Sequence, residues 1–230
     1  MVNPLTPHLI VFDLDGTLVD SRLDLAESAN ELLSSYGAPP LAVDDIVSMV
    51  GDGAAKLVAR ALRAAGIQPP LDDALATFLA IYDRRLLNHT TIYPGIESAL
   101  AMAAPRAAMA VLTNKPAHHT GRLLDALDLS RWFTAGIVGG DTPVGRKPDP
   151  AGLASLMQKA GTHPGETMMV GDSKVDVETA VRAGTAFCLA RYGFGGATAA
   201  DVAAGTPVFV AETTAELSVC CERFLERPPT

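Results

Sequence analysis

Cysteine is scarce in this chain: three residues in 230, with Cys188 alone and Cys220 next to Cys221. That number and spacing make neither a disulfide framework nor a metal-ligand pattern, so the three read as reduced structural thiols. Basic residues are outnumbered, 18 Lys and Arg against 26 Asp and Glu, for a net charge of −8. Nucleic-acid backbones are held by clustered Lys and Arg, which are missing here, so the composition argues against a nucleic-acid partner. A small anionic substrate is still allowed if a cation and a few positive groups reverse the field at one site. No apolar run approaches the roughly 18 residues needed to span a bilayer. The opening residues 1–8 also lack the basic patch and apolar run of a secretory signal, so a cytoplasmic protein without a membrane partner is expected. Repeats and low-complexity stretches are absent. The lone Trp132, beside Phe133, reads as core packing, and the Pro-rich residues 227–230 read as a frayed tail.

What is present is a substantial interior, 48% hydrophobic residues, arranged in short apolar runs that end in polar residues. Residues 8–12 end at Asp13, 107–112 at Thr113-Asn114, and 167–170 at Gly171-Asp172. Runs of this length feeding a loop read as buried parallel strands, and 136–138, 186–189 and 207–210 add three more. Helical patterns at 120–127, 151–160 and 175–183 separate them, each followed by Gly or another breaker. Strand-helix alternation predicts an α/β doubly wound parallel sheet, whose ligands bind beyond the carboxyl ends of its strands. One segment breaks the alternation. Residues 20–88 show only amphipathic helical patterns: Leu25, Ala29, Leu32 and Tyr36 on one face, then 54–65, then Leu71, Leu75, Phe78, Tyr82 and Leu86. The chain is therefore expected to be a discontinuous core, 1–19 and 89–230, with a small all-helical cap at 20–88 joined through 18–21 and 88–94. Gly95 is expected to open the next helix.

The run Asp13-Leu14-Asp15-Gly16-Thr17 sets two carboxylates at a strand end. If Asp13, Asp15 and Asp172 converge, each pair at about 4 Å repels by roughly 4 kcal/mol at an effective dielectric near 20. A divalent cation offsets that repulsion, and an oxygen-only ligand set suits Mg²⁺. His118-His119 invites a metal reading, but neighbours on a helix face different ways and no third ligand accompanies them, so a surface helix is expected.

The residues now named resemble a known family. Asp13-Leu14-Asp15-Gly16-Thr17 looks like the first motif of the haloacid dehalogenase superfamily, DxDGT. Thr113 resembles its second motif, Lys147 in Arg146-Lys147-Pro148-Asp149-Pro150 its third, and Gly171-Asp172-Ser173-Lys174-Val175-Asp176 its acidic fourth. Four elements in order are far more specific than one. The resemblance implies a Mg²⁺-dependent hydrolase with Asp13 as nucleophile, passing through an aspartyl-phosphate, and with Asp15 as general acid and then base. It implies that Thr113 and Asn114 bond phosphate oxygens near Gly16, and that Lys147 stabilises the nucleophile and the equatorial oxygens. Asp13, the main-chain carbonyl of Asp15, and Asp172 would hold the metal, with Asp176 in support. Within the superfamily, Asp15 favours phosphate-ester hydrolysis over dehalogenation.

Among capped phosphatases the chain is most similar to the phosphoglycolate phosphatase group, through residues 12–21, 112–116, 139–141, 147–150 and 170–173 and the cap loop of Gly51 and Gly53. The implied partner is a small phosphorylated metabolite, 2-phosphoglycolate first. Sugar or sugar-acid phosphates, pyrophosphate, a phosphoglucomutase-type transfer and a noncatalytic binding module stay open, because substrate choice lies in the cap. No amphipathic face is left over to choose between monomer and homodimer.

Overall fold

The computed structural model describes residues 8–202, 205–206 and 208–227, so the expectations for the opening residues 1–7 and the tail residues 228–230 lie outside the described residues. The chain enters as β1 (Leu9–Phe12), passes a short β2 (Val19–Asp20) and builds α1 (Arg22–Ser35), α2 (Val43–Val47), α3 (Ala54–Ala64) and α4 (Leu71–Arg85). It returns through β3 (Thr91–Ile92) to α5 (Ile96–Ala103), β4 (Ala108–Leu112), α6 (Ala117–Ala126), β5 (Gly136–Val138) and α7 (Ala151–Ala160). The last units are β6 (Thr167–Gly171), α8 (Lys174–Ala183), β7 (Ala186–Ala190), β8 (Val208–Ala211) and α9 (Thr214–Leu225). Of the expected sixth strand, residue 207 lies outside the described residues.

Six strands form one sheet in the order β5-β4-β1-β6-β7-β8, every neighbouring pair parallel. A parallel sheet is covered on both faces, and successive side chains of a strand point opposite ways. Ile10 and Phe12 accordingly join one hydrophobic cluster with Met109, Val111, Met168 and Val170, while Leu9 and Val11 join a second with Ala110, Leu112 and Met169. Helices on both sides fill these layers, giving the doubly wound α/β architecture. Because β4 flanks β1 on one side and β6 on the other, the carboxyl end of β1 opens on a switch point, with the ends of β4 and β6 next to it.

The helical insert leaves and re-enters at the antiparallel pair β2 and β3, registered Val19 to Ile92 and Asp20 to Thr91. Two-residue strands carry no periodicity to read, which is why neither was expected. The stem is reinforced by Asp24, fully buried in the first turn of α1, which accepts hydrogen bonds from the backbone N–H groups of His89 and Thr90 and from Thr90 Oγ1. Gly95 does open α5, in a left-handed conformation. Two details differ from the expected helical faces. Tyr36 lies beyond the end of α1 and is 39% exposed, and Leu33 is buried in its stead; Leu71, the first residue of α4, is 42% exposed, and burial starts at Ala74. Helix ends overhang their packing partners, so the first and last apolar residues of a pattern are the ones left in water. Five-residue α2, with only Ile46 buried, was also unexpected for want of a full period.

Candidate active site

The apolar ends of three adjacent strands deliver polar residues to one place. Asp13 follows β1, Thr113 and Asn114 follow β4, and Asp172 follows β6; all four are buried. Asp13, Asp172 and Asp176 each offer a carboxylate oxygen within 4.8 Å of the others. Lys147, from the loop between β5 and α7, reaches under them with Nζ 2.8 Å from Asp13 Oδ1 and 2.5 Å from Asp176 Oδ1. Burial alone would lower this lysine's pKa, but Asp13 and then Asp176 outweigh it and hold the ammonium charged.

One lysine does not neutralise three buried carboxylates. Burial, followed by the charge of Asp176, pushes Asp13 up to about 7 despite Lys147, and burial with the charges of Asp176 and Asp13 pushes Asp172 well above the usual carboxylate range. Asp172 recovers part of its hydration from the N–H groups of Phe194 at 2.9 Å and Gly195 at 2.7 Å. The contact of Asp13 Oδ1 with Lys147 is close but poorly angled, which leaves that buried oxygen without an aligned donor. Hard, buried, mutually repelling oxygens with an unsatisfied member are the donor set a divalent cation takes. The residues fit such an ion.

Asp176 serves two groups at once. As the third residue of α8 its Oδ2 accepts from the backbone N–H and Oγ of Ser173, closing a capping box, while Oδ1 faces Lys147. Gly16 is required by Asp172: its φ is +86°, and a Cβ there would overlap the Asp172 carboxylate.

The Asp15 carboxylate does not converge with those of Asp13 and Asp172, a cluster to which its main-chain carbonyl was the expected contribution; Asp176, expected in support, brings its carboxylate to the cluster. Three residues beyond the end of β1, Asp15 is drawn aside by Ser21 Oγ at 2.6 Å and by Lys115 Nζ, 2.8 Å from both carboxylate oxygens. Asn114 is also committed elsewhere. Its Nδ2 donates to the carbonyls of Gly51 and Lys147, both at 3.0 Å, so the side-chain amide ties the cap loop to the core and has no N–H left for a phosphate oxygen. Thr113 keeps its place in the pocket wall, its Oγ1 accepting from the N–H of Lys115 at 3.2 Å. Gly51 and Gly53 meet the core at the same rim, with Gly53 preceding α3 beside Arg146.

Asp13, Asp15, Thr113, Asn114, Lys115 and Asp172 line a cavity of about 50 Å³ between core and cap, room for a few waters and hence for a small ligand. The cap's side is apolar, from Leu25, Val50, Leu57, Phe78, Leu79 and the ring of Tyr82. Sequence reasoning missed Lys115, Ser21, Tyr82 and the 192–196 loop. The run Tyr192-Gly193-Phe194-Gly195-Gly196 was the one available signal, a glycine cluster where backbone closes on Asp172. It also misread His119: His118 is exposed as expected, but His119 is buried, its ring 5.4 Å from that of Tyr82. Trp132 is partly buried against the larger cluster. The three cysteines are buried and unpaired.

Residues 10–190 match the sequence profile of a family described as haloacid dehalogenase-like hydrolase. Phosphoglycolate phosphatase 1 of Pseudomonas aeruginosa is 37% identical over 227 residues, covering 96% of this chain and 82% of that protein. Phosphoglycolate phosphatase of Pseudomonas putida is 41% identical over 193 residues, covering 82% of this chain and 71% of the relative. A crystal structure of a predicted phosphoglycolate phosphatase from Haemophilus somnus superposes with a TM-score of 0.85 at 29% identity, over 95% of this chain and 99% of the other. A haloacid dehalogenase-like family hydrolase of Streptococcus pneumoniae, at 21% identity and a TM-score of 0.80 over 94% of this chain and 98% of the other, shares the fold alone.

Proposed function

The chain belongs to the haloacid dehalogenase-like hydrolases and is a phosphatase, and we propose that it converts 2-phosphoglycolate to glycolate and phosphate through a covalent intermediate on Asp13. The observation that carries this reading is the buried group of Asp13, Asp172 and Asp176 around Lys147, with Asp13 and Asp172 facing a small cavity that the cap lines with apolar side chains.

Asp13 attacks phosphorus as the carboxylate. The bond from phosphorus to the ester oxygen breaks, and the departing oxygen takes a proton from Asp15, which then removes a proton from the water that cleaves the aspartyl-phosphate. Ser21 and Lys115 fix the direction in which Asp15 faces. Lys147 carries the positive charge that favours the ionised form of Asp13 and meets the equatorial oxygens, and Asp176 positions Lys147. Thr113 contributes its hydroxyl to the phosphoryl group; for Asn114 only the backbone N–H is available. Asp13, Asp172 and the main-chain carbonyl of Asp15, with Asp176 in support, would hold Mg²⁺, which supplies positive charge against the phosphoryl oxygens when bound. The cap, taken as 20–88, excludes bulk water from this step.

Within the described residues no helix is long and apolar enough to cross a membrane, and a cytoplasmic enzyme acting on a small phosphorylated metabolite is the setting that suits this chemistry. Phosphate release is to be measured from 2-phosphoglycolate, p-nitrophenyl phosphate, sugar phosphates and pyrophosphate, with and without Mg²⁺, for the wild type and Asp13→Asn. Turnover fastest on 2-phosphoglycolate, requiring Mg²⁺ and abolished by the substitution, is expected. Preference for another member of the panel would remove the substrate assignment, and no turnover at all would remove the enzyme reading.

A further inference from the structure

We infer that Lys115 and Tyr82 form a receptor for a second anionic group of the substrate, a carboxylate, and that this pair, rather than the phosphoryl site, selects the substrate. The inference rests on the reading that Asp13 attacks the phosphoryl group, and adds to it what the rest of the substrate must look like.

Lys115 is a cation buried in the wall of the reaction cavity, with its side chain 3% exposed. An ammonium has three N–H donors. Among the described residues, the hydrogen-bond acceptors of Nζ are the two oxygens of Asp15, both at 2.8 Å, which leaves one donor over. Nζ also stands 4.7 Å from the centre of the Tyr82 ring, a residue of cap helix α4. The Tyr82 hydroxyl is itself buried and without an aligned hydrogen-bond partner, Lys115 being its polar neighbour, and burial, outweighing the Lys115 charge, pushes its pKa up to about 12, so it stays a donor across the working range of pH.

A spare charged donor and an unpartnered hydroxyl thus adjoin in a wall that is otherwise Leu25, Val50, Leu57, Phe78 and Leu79. Each group is costly to bury unsatisfied. The ligand that satisfies both is an anion with two acceptor oxygens. The small cavity favours a phosphate monoester whose carboxylate lies only a carbon or so beyond the ester oxygen over a bulkier sugar phosphate. Because Lys115 comes from the core loop after β4 and Tyr82 from the cap, such an anion also bridges the two parts and favours the closed arrangement. Pyrophosphate is the other small dianionic candidate, with a tetrahedral phosphate in place of the planar carboxylate.

The test compares kcat and KM for 2-phosphoglycolate, ethyl phosphate, in which a methyl group replaces the carboxylate, and pyrophosphate. The proteins are wild type, Lys115→Met, Lys115→Arg and Tyr82→Phe, with thermal unfolding of each as a folding control. A site built around a charged group rejects an analogue lacking it, so the wild type is expected to favour 2-phosphoglycolate over ethyl phosphate by about 10²-fold or more in kcat/KM. Lys115→Met should shrink that ratio about tenfold or more, chiefly through KM, and weaken competitive inhibition by glycolate more than inhibition by inorganic phosphate. Lys115→Arg should restore part of the ratio, and Tyr82→Phe should shrink it severalfold. A ratio unchanged in a folded Lys115→Met, with both substrates slowed alike, would overturn the inference and leave Lys115 as a partner of Asp15 only. A wild type that prefers pyrophosphate would overturn the carboxylate assignment. Failure of the underlying phosphatase reading looks different: no Asp13-dependent phosphate release from any of the three.

Discussion

Asp24 offers the sharpest test of how the cap is joined to the core. Its carboxylate, fully buried, receives the N–H of His89 at 3.0 Å, the N–H of Thr90 at 2.8 Å and Thr90 Oγ1 at 2.7 Å, and so ties the first turn of α1 to the strand that returns the chain. Asp24→Ala leaves the N–H and hydroxyl of buried Thr90 and the part-buried N–H of His89 with no acceptor. Hydrogen bonds to a charged acceptor are worth about 1.5–3 kcal/mol each, and bonds sharing one acceptor are not additive, so a loss of about 3–5 kcal/mol is expected. For a chain of this size each kcal/mol moves Tm by about 2–4 °C, which puts the drop between about 6 and 20 °C. Asp24→Asn keeps the shape and one acceptor oxygen but turns an NH₂ group toward a donor, so it should fall between wild type and Ala. Calorimetry measures the drop, and hydrogen exchange localises it, since the amides of His89 and Thr90 should lose protection in both variants. A Tm within about 2 °C of wild type in Asp24→Ala, with Thr90 still protected, would refute the clamp.

Two further outcomes follow from the carboxylate cluster. Burial, the largest cause, pushes the pKa of Asp13 from its ordinary value of 3.8 up to about 7. The folded state therefore holds this proton more tightly, so the contribution is present below about pH 4 and is lost as pH rises through about 7. In EDTA, thermal stability should decline across that window, and because Mg²⁺ takes the ionised carboxylates its stabilisation should be larger at pH 8 than at pH 5. An equal Mg²⁺ shift at both values, read by scanning calorimetry, would sink this assignment. Gly16→Ala forces a side chain into the Asp172 carboxylate from a left-handed backbone. Its Mg²⁺ affinity, from isothermal titration, should fall at least about tenfold, and unchanged affinity would contradict the packing described.

The core of the fold was legible because its signals are local. Each buried strand is a short apolar run, and a polar residue marks where it ends, so Asp13, Thr113 and Asp172 could be assigned to one edge of a parallel sheet before any contact was known. The insert was visible for a similar reason, as amphipathic patterns in a stretch without strand runs. Positions at the margins of elements were less so, since Tyr36 and Leu71 keep the helical spacing but overhang the neighbouring helix. The 192–196 loop has no periodicity at all, and its two N–H donors to Asp172 are backbone groups that every residue but proline possesses.

By itself, then, the order of residues determined the sheet, the helical insert and the set of charged groups delivered to the strand ends, since each depends on hydrophobic spacing within a few residues. Only the tertiary structure decided which of those charges meet. Asp15 pairs with Lys115 across 100 positions, Thr17 faces Asp172 across 155, and Asp176 brings its carboxylate from the first turn of α8 to Lys147 across 29. Partners of buried charges are chosen by distance and desolvation in the folded interior, and neither quantity is written in the spacing along the chain.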